Sequence, residues 1–529
     1  MDDSLCTDNN TEQANDTSVS TQTTELRKAL KDCSNGIERL RKAQDDGIVS
    51  SFANDGAVHP LIHRAVAAAD AHRELRQNGI NDLRRRLVIS SEERSFPIDV
   101  LHMSSSNAFL LDGGEVTIQT YEFKQRYCAR NVPCIIRGLD MTNFAHVSSQ
   151  WRSEDNAINV DWFRNCLGGD TKVPVRVDAT NDQNGNQDDG LDADGRATEC
   201  ETVEMKLCEW IEYCKQTNQS TLVYPCEYKG LTSIGYLKDW HLLQFLKSKQ
   251  QQQQRYNSQP QSINDLYSVP SIFERDLLNN FLTKYTGGDY KFVYWGPAQS
   301  RTNLHSDVLH SFSWSYNVVG KKRWTLYVPS IKNGRESQCL ETFELIQETG
   351  DTIFVPAMWK HEVVNLVETL SINHNWITAA NIDCTYQCLL TEISSIEKEI
   401  RDWGVLSNDD CETRENMLRG CVGLDVTMLV MMALCELIDL LNEFLRVEET
   451  SRSETADINN GYLMDRLYST FSLYNLLNSI VLNEAEDANT MKRLAATLQS
   501  EEMANDVKSY SEFCIGICRT LAMHANIKE

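Results

Sequence analysis

The sequence predicts a mixed α and β protein, with a β-rich centre of sandwich or barrel type lying between helical ends. Three observations carry this expectation. From about residue 96 to 377 the chain is a series of short runs rich in β-branched and aromatic residues: "VTIQT", "VPCIIRGL", "KVPVRV", "STLVYP", "KFVYWGP", "SFSWSYNVV", "KRWTLYVP", "DTIFVP" and "ETLSINHNWI". Many short strands at such spacing indicate a sandwich or a barrel. Before them, "TELRKALKDC" and "IHRAVAAADAHRELRQ" carry apolar residues at helical spacing. After about residue 379, "CLLTEISSIEKEIRDWG", "VTMLVMMALCELIDLLNEFL", "YLMDRLYSTFSLYNLLNSIV" and "YSEFCIGICRTLAMH" each show a broad apolar stripe.

These textures divide the 529 residues into 1–95, a disordered acidic tail to about residue 24 followed by helices; 96–378, the β-rich domain; and 379–529, a helical region suited to core packing or dimerisation. Two low-complexity insertions interrupt the β-rich domain. The first, about 178–200, brushes against a calcium-loop pattern with Asp192, Asp194, Gly195 and Glu201, but position 1 falls on Gly190, which has no carboxylate. It reads as a solvated acidic loop. The second, about 247–263, reads as a glutamine-rich loop. The cluster Arg84-Arg85-Arg86 reads as a solvated helix face.

A formal charge of −25, from 51 basic and 76 acidic residues, repels nucleic acid and favours basic protein partners. The 17 cysteines lack regular spacing and fit the reduced thiols of a cytosolic or nuclear protein. Cys384 with Cys388, and Cys514 with Cys518, have the spacing of one helical turn and read as packed faces rather than zinc half-sites. The N-terminus has no signal-peptide pattern, and the uncharged run Val426 to Cys435 is too short to cross a bilayer. A cytoplasmic location, with a nuclear one also open, and no membrane or direct nucleic-acid partner are expected.

The chemistry concentrates around "NLHSDVLHSFSWSYNVVGKKRW". Residues i and i+2 of a strand point to the same side, so His305 and Asp307 can present an imidazole nitrogen and a carboxylate oxygen to one point. A third ligand is available at His361 in "GDTIFVPAMWKHEVVNL", where the chain returns as another extended run. Two histidines and a carboxylate form the facial triad of non-haem iron(II) oxygenases, which leaves positions open for substrate and dioxygen. His310 and His374 read as ordinary buried side chains.

An oxygenase that consumes a dicarboxylic keto acid must also neutralise the distal carboxylate, and Lys322, just past the Gly320-Lys321 turn, can supply a point charge. Thr302 and Asn373 are placed to add hydrogen bonds. Thr369, Ser371, Asn373 and Asn375 share one strand face, and a polar face turned inward needs a ligand or water.

These segments resemble the jumonji-C family of iron(II) and 2-oxoglutarate oxygenases. The resemblance rests on "YWGPAQSRTNLHSD", "SWSYNVVGKKRWTLYVP", "GDTIFVPAMWKHEVVNL" and "SINHNWI", with "YEFKQRYCARNVPCIIRG" and "YLKDWHL" upstream. It implies a double-stranded β-helix of jelly-roll or cupin type with flanking helices. It further implies Fe(II) held by His305, Asp307 and His361, and 2-oxoglutarate and dioxygen as co-substrates. The distal carboxylate of 2-oxoglutarate would pair with Lys322, supported by Thr302, Asn373 and Tyr294, with Asn375 behind them. Trp314, Trp359 and Trp376 are candidates to line a dry pocket. Within the family, "YLKDWH" and "HSDVLHSFSWSYNV" look most like a lysyl-hydroxylating branch, which implies a lysine side chain of the translation termination (release) factor as target. Demethylation of histone methyl-lysine, or a barrel that only binds, are the alternatives.

Overall fold

In the computed structural model of the protein, residues 10–526 are described apart from 56–57, 94–97, 104–108, 112–116, 119, 140–141, 179–199, 220–233, 255–265, 330, 333–334, 337–340, 404–410, 451–455 and 483. The run "FSWSYNVV" forms the strand Phe312–Val319, buried along nearly its whole length as befits a strand covered on both faces. It lies inside an 11-stranded sheet, between Thr352–Val355 and Thr369–Trp376. The spatial order continues on one side through Cys134–Arg137 and Asp99–Met103, and on the other through Lys291–Gly296, Tyr236–Trp240, Lys172–Asp178 and Cys200–Lys206. Among the described pairings, that of Asp99–Met103 with Cys134–Arg137 is parallel and the others are antiparallel.

A second sheet of four strands runs Thr342–Gln347, Lys322–Tyr327, Lys360–Asn365 and Arg301–His305. Its period-2 burial turns Lys322, Trp324 and Leu326 inward from one strand, and His361, Val363 and Asn365 from the next. The two sheets face each other over one apolar core: Trp324, Leu326, Phe343 and Val363 from the small sheet meet Ile135, Ile353 and Val355 from the large one, with Ile80 and Leu83 of the helix His72–Glu93 closing a side. The double-stranded β-helix expected from the family resemblance is therefore present as a cupin-like pair of sheets that do not close into a complete barrel.

Gly320 sets the register between the two sheets. It joins Phe312–Val319 to Lys322–Tyr327 at φ +99°, and a Cβ there would fall 2.3 Å from the backbone oxygen of Glu368. Both the left-handed backbone and the close approach exclude other residues. Gly320→Ala is expected to lower stability by more than about 1 kcal/mol, read as a fall in the thermal midpoint.

The chain forms two compact units. One holds residues 74–274 and 290–376 and contains both sheets. The other is helical and assembles residues 1–73, 275–289 and 377–529. Linear boundaries at 95 and 378 thus miss two features of the chain path. The helix His72–Glu93 serves the sheets, where Arg84 pairs with Glu341 and Arg86 with Asp99, while Arg85 and Arg86 stay exposed on the solvated face expected of them. The helix Leu277–Tyr285 serves the helical unit, where Lys284 and Tyr285 meet Asp32, and Arg275 bridges Glu436 and Glu443.

In the helical unit, Asn10–Asp45 buries Leu26, Ala29, Cys33, Ile37 and Leu40, and packs on Val426–Thr450. Gly36 permits that contact, since a Cβ there would meet Ile438 at 2.3 Å. Residues 10–24, expected as disordered tail, are helical: a helix nucleated by a packed stripe extends through a polar N-terminal run. Residues 1–9 lie outside the described residues. Cys384, Cys388, Cys514 and Cys518 are buried thiols on packed faces, as their spacing suggests.

The glutamine tract differs from expectation in part. Residues 247–254 continue the helix Leu242–Gln254, because Leu242 and Leu246 are buried and glutamine is a good helix former. The remainder of that tract from 255 lies outside the described residues, as does 179–199 of the acidic insertion, including Asp192, Asp194 and Gly195. The strands flanking that insertion, Lys172–Asp178 and Cys200–Lys206, pair as a hairpin. Among the described residues no single helix is long and apolar enough to cross a membrane.

Candidate active site

His305 ends the strand Arg301–His305 and sits directly opposite His361 of Lys360–Asn365 in the antiparallel register. Their ring centroids are 4.3 Å apart. Asp307, two residues beyond His305, leads into the short turn Val308–His310, in which Leu309 and His310 both have positive φ. One ligand atom from each of His305, Asp307 and His361 lies within 4.8 Å of the others. The sequence-predicted triad is thus brought together by one ladder and the turn that follows it.

Each histidine is held in a form that can ligate. Nδ1 of His305 lies 2.9 Å from the Asn303 carbonyl, and Nδ1 of His361 lies 3.0 Å from that of Trp359. A carbonyl oxygen only accepts, so both Nδ1 atoms carry hydrogen and both Nε2 lone pairs are left for a metal. Burial, followed by the neighbouring His361, pushes His305 down to about 4, so its ring is neutral at physiological pH. Asp307 supplies the negative charge, and its Oδ2 accepts a 2.6 Å hydrogen bond from the Ser313 hydroxyl.

The same pocket contains an uncompensated cation. Lys322 is 1% exposed, and its ammonium donates to Ser371 Oγ at 2.7 Å. Asn373 Nδ2 donates to the same hydroxyl at 2.9 Å. Among the described residues no carboxylate pairs with Lys322, and burial, then the nearby Lys238, push it down from 10.5 to about 7. Ser315, 3% exposed, also lines the pocket and its hydroxyl has no hydrogen-bond partner. A buried ammonium and an orphaned hydroxyl beside two imidazoles and one carboxylate suit a divalent metal together with an anionic chelator.

The walls are Trp314, Trp324, Val363 and Tyr236, and Thr302 also faces the pocket. Tyr294 contributes its ring while its hydroxyl donates to Asp239 at 2.9 Å. Asn375 lines the pocket and donates to Ser311 at 3.0 Å. Of the three tryptophans proposed as lining, Trp314 fills that place. Trp359 belongs to the inter-sheet core and Trp376 to an aromatic cluster with Phe273, Phe312 and Phe354. His374 is fully buried, with Nε2 2.6 Å from the Tyr267 hydroxyl, and plays no part in the site.

Sequence reasoning missed Lys238. Its ammonium stands 5.4 Å from the centre of the Tyr294 ring and 5.9 Å from that of Tyr236, and it acts electrostatically on both Lys322 and His305. Its signal was the run "YLKDW", whose strand joins the sheet from a distant part of the chain.

Facing antiparallel sheets that aim a His-Asp-His triad and a buried lysine into one pocket define a cupin-like metal oxygenase. Residues 120–334 match the cupin-like domain family. The chain is 28% identical over 349 residues to the 2-oxoglutarate and iron-dependent oxygenase JMJD4 of Danio rerio, covering 61% of this chain and 74% of the relative. It is 26% identical over 371 residues to the JMJD4 oxygenase of Homo sapiens, covering 65% and 80%. It is also 31% identical over 319 residues to an arginine-specific demethylase, JMJ20, of Arabidopsis thaliana, covering 53% and 60%. The chain thus carries a cupin-like domain and is similar to oxygenases that depend on iron and 2-oxoglutarate.

Proposed function

We propose that the protein is a hydroxylase that oxidises a lysine side chain of another protein, with the translation release factor as its target. The convergence of His305, Asp307, His361 and Lys322 on one pocket carries the oxygenase part of this reading. The resemblance of "YLKDWH" and "HSDVLHSFSWSYNV" to the lysyl-hydroxylating branch, together with the charge of −25 that favours a basic partner, supports the substrate.

In this reading His305, Asp307 and His361 hold iron(II). Lys322 receives the distal carboxylate of 2-oxoglutarate, with Ser371, Asn373 and Thr302 supplying nearby polar groups. When bound, iron with 2-oxoglutarate and dioxygen would supply the oxidising power that inserts one oxygen atom into a C–H bond, the second oxygen entering succinate as 2-oxoglutarate loses its carboxylate as carbon dioxide. The protein orients these groups and keeps water out with Trp314, Trp324 and Val363.

The similarity to an arginine-specific demethylase favours a second reading, removal of a methyl group from a protein side chain. Purified protein incubated with iron(II), 2-oxoglutarate and release-factor peptides is expected to add one oxygen to a lysine, seen by mass spectrometry and lost in His305→Ala. Formaldehyde release from methyl-arginine or methyl-lysine peptides, without oxygen gain on the release-factor peptides, would overturn the hydroxylase reading.

A further inference from the structure

His361 follows a turn that a distant residue clamps. In "FVPAMWKH" the strand Thr352–Val355 ends at Pro356, and the chain passes through Met358 at φ +65° before Lys360–Asn365 begins. A left-handed backbone at methionine is uncommon and persists only where surroundings enforce it. The enforcing residue is Asn131, which is fully buried.

The Asn131 amide pairs with the backbone of Ala357 in both directions: Nδ2 donates to the Ala357 oxygen at 2.9 Å, and the Ala357 N–H donates to Oδ1 at 3.0 Å. The Asn131 backbone carbonyl accepts the Trp359 indole N–H at 3.0 Å. Trp359 in turn offers its carbonyl to Nδ1 of His361. Asn131 is itself in the left-handed region, φ +56°, and follows a π-helical turn, Lys124–Cys128. Asparagine is among the few side chains that tolerate this backbone while presenting both a donor and an acceptor. Two unusual backbone segments, 226 residues apart, thus meet through a single residue, its side-chain amide on Ala357 and its backbone carbonyl on Trp359.

We propose that Asn131 is a positioning residue for the metal: by fixing Ala357 and Trp359 it sets the ring orientation and tautomer of His361. This rests on the reading of His361 as a metal ligand. Removing groups that orient a ligand typically weakens metal binding by 10–100-fold.

The test uses the full chain and cobalt(II), whose visible absorption reports both affinity and ligand geometry. Wild type, Asn131→Ala, Asn131→Asp and a remote control, Asn279→Ala, which removes a comparably buried asparagine from the helical unit, are titrated and also melted without metal. Asn131→Ala is expected to bind cobalt about 10–100-fold more weakly, with altered absorption bands. Asn131→Asp, which keeps the acceptor for Ala357 N–H and loses the donor, is expected to fall between it and wild type. Asn279→Ala is expected to lower the thermal midpoint and leave cobalt affinity unchanged. Cobalt affinity within twofold of wild type in both Asn131 variants would overturn the proposal, whatever happens to the melting temperature; Asn131→Asp decides alone if Asn131→Ala does not fold. Absence of cobalt binding in wild type would instead refute the metal site itself.

Discussion

Lys322→Met is expected to abolish 2-oxoglutarate binding and turnover while raising the thermal midpoint of the metal-free protein. Both effects follow from one buried ammonium whose sole hydrogen-bonded neighbour among the described residues is the Ser371 hydroxyl. A dianionic co-substrate brings the missing negative charge. Removing one partner of a buried pair costs about 3–5 kcal/mol, or roughly two to four orders of magnitude in affinity. Without co-substrate the same ammonium is a burden, and an apolar side chain of similar length relieves it by ~1–4 kcal/mol. A variant that binds 2-oxoglutarate normally, or melts earlier than wild type, would contradict this account.

The pH dependence has a definite sign. Burial depresses Lys322 from 10.5 to about 7, so between those values the unfolded chain holds a proton that the folded chain lacks. Stability of the metal-free wild type therefore gains a contribution from about pH 7 upward to about 10.5, and below pH 7 the full penalty applies. Lys322→Met lacks that rise. Co-substrate binding has the opposite slope, because the dianion selects the protonated lysine: the apparent Kd for 2-oxoglutarate increases as pH is taken above 7.

Asp307→Ala is expected to remove the metal and leave the fold. Asp307 gives the triad its one negative charge, and its recorded side-chain hydrogen bond is from Ser313, an exchange of modest worth to stability. Loss of an anionic ligand from a three-ligand site should weaken iron(II) or cobalt(II) binding by more than about 100-fold, exceeding the effect of second-layer changes. The thermal midpoint without metal should change little, whereas the metal-induced rise expected of the wild type should vanish. Retention of that rise would place the metal elsewhere.

The triad was legible because its logic is local twice over. His305 and Asp307 follow from the two-residue strand period, and His361 lies in a second extended run with the right neighbours. Lys322 was legible from its place just past a glycine turn. The polar stripe Ser371, Asn373 and Asn375 was visible too, but only as one strand. The register pairs Asn375 with Ser313, Asn373 with Ser315 and Ser371 with Asn317, so half of the polar patch comes from the neighbouring strand, whose own polar alternation is legible in the sequence while its pairing with Thr369–Trp376 is not.

What sequence reasoning missed depended on distant chain segments. Lys238 reaches the pocket through sheet order, and the hydroxyl of Tyr294 turns to Asp239 because that residue arrives on the adjacent strand. The strand Cys200–Lys206 reads "CETVEMK", with Val203 and Met205 as its only strong apolar signals, and it exists because Lys172–Asp178 offers a ladder. Tryptophans gave no guidance on pocket against core, since Trp314, Trp359 and Trp376 are equally buried and differ only in what stands opposite.

The helical unit is stitched from three stretches of chain, and this has a consequence for biosynthesis. Its first helix, Asn10–Asp45, emerges from the ribosome long before its partner Val426–Thr450. At about 5–20 residues per second the interval is on the order of 20–80 s, during which Leu26, Ile37 and Leu40 lack their native cover. The sheet-bearing unit completes its sequence within that wait. Nascent chains stalled near residue 400 should therefore already hold a folded oxygenase while their leading helices recruit chaperones, which makes those helices the point where expression yield is decided.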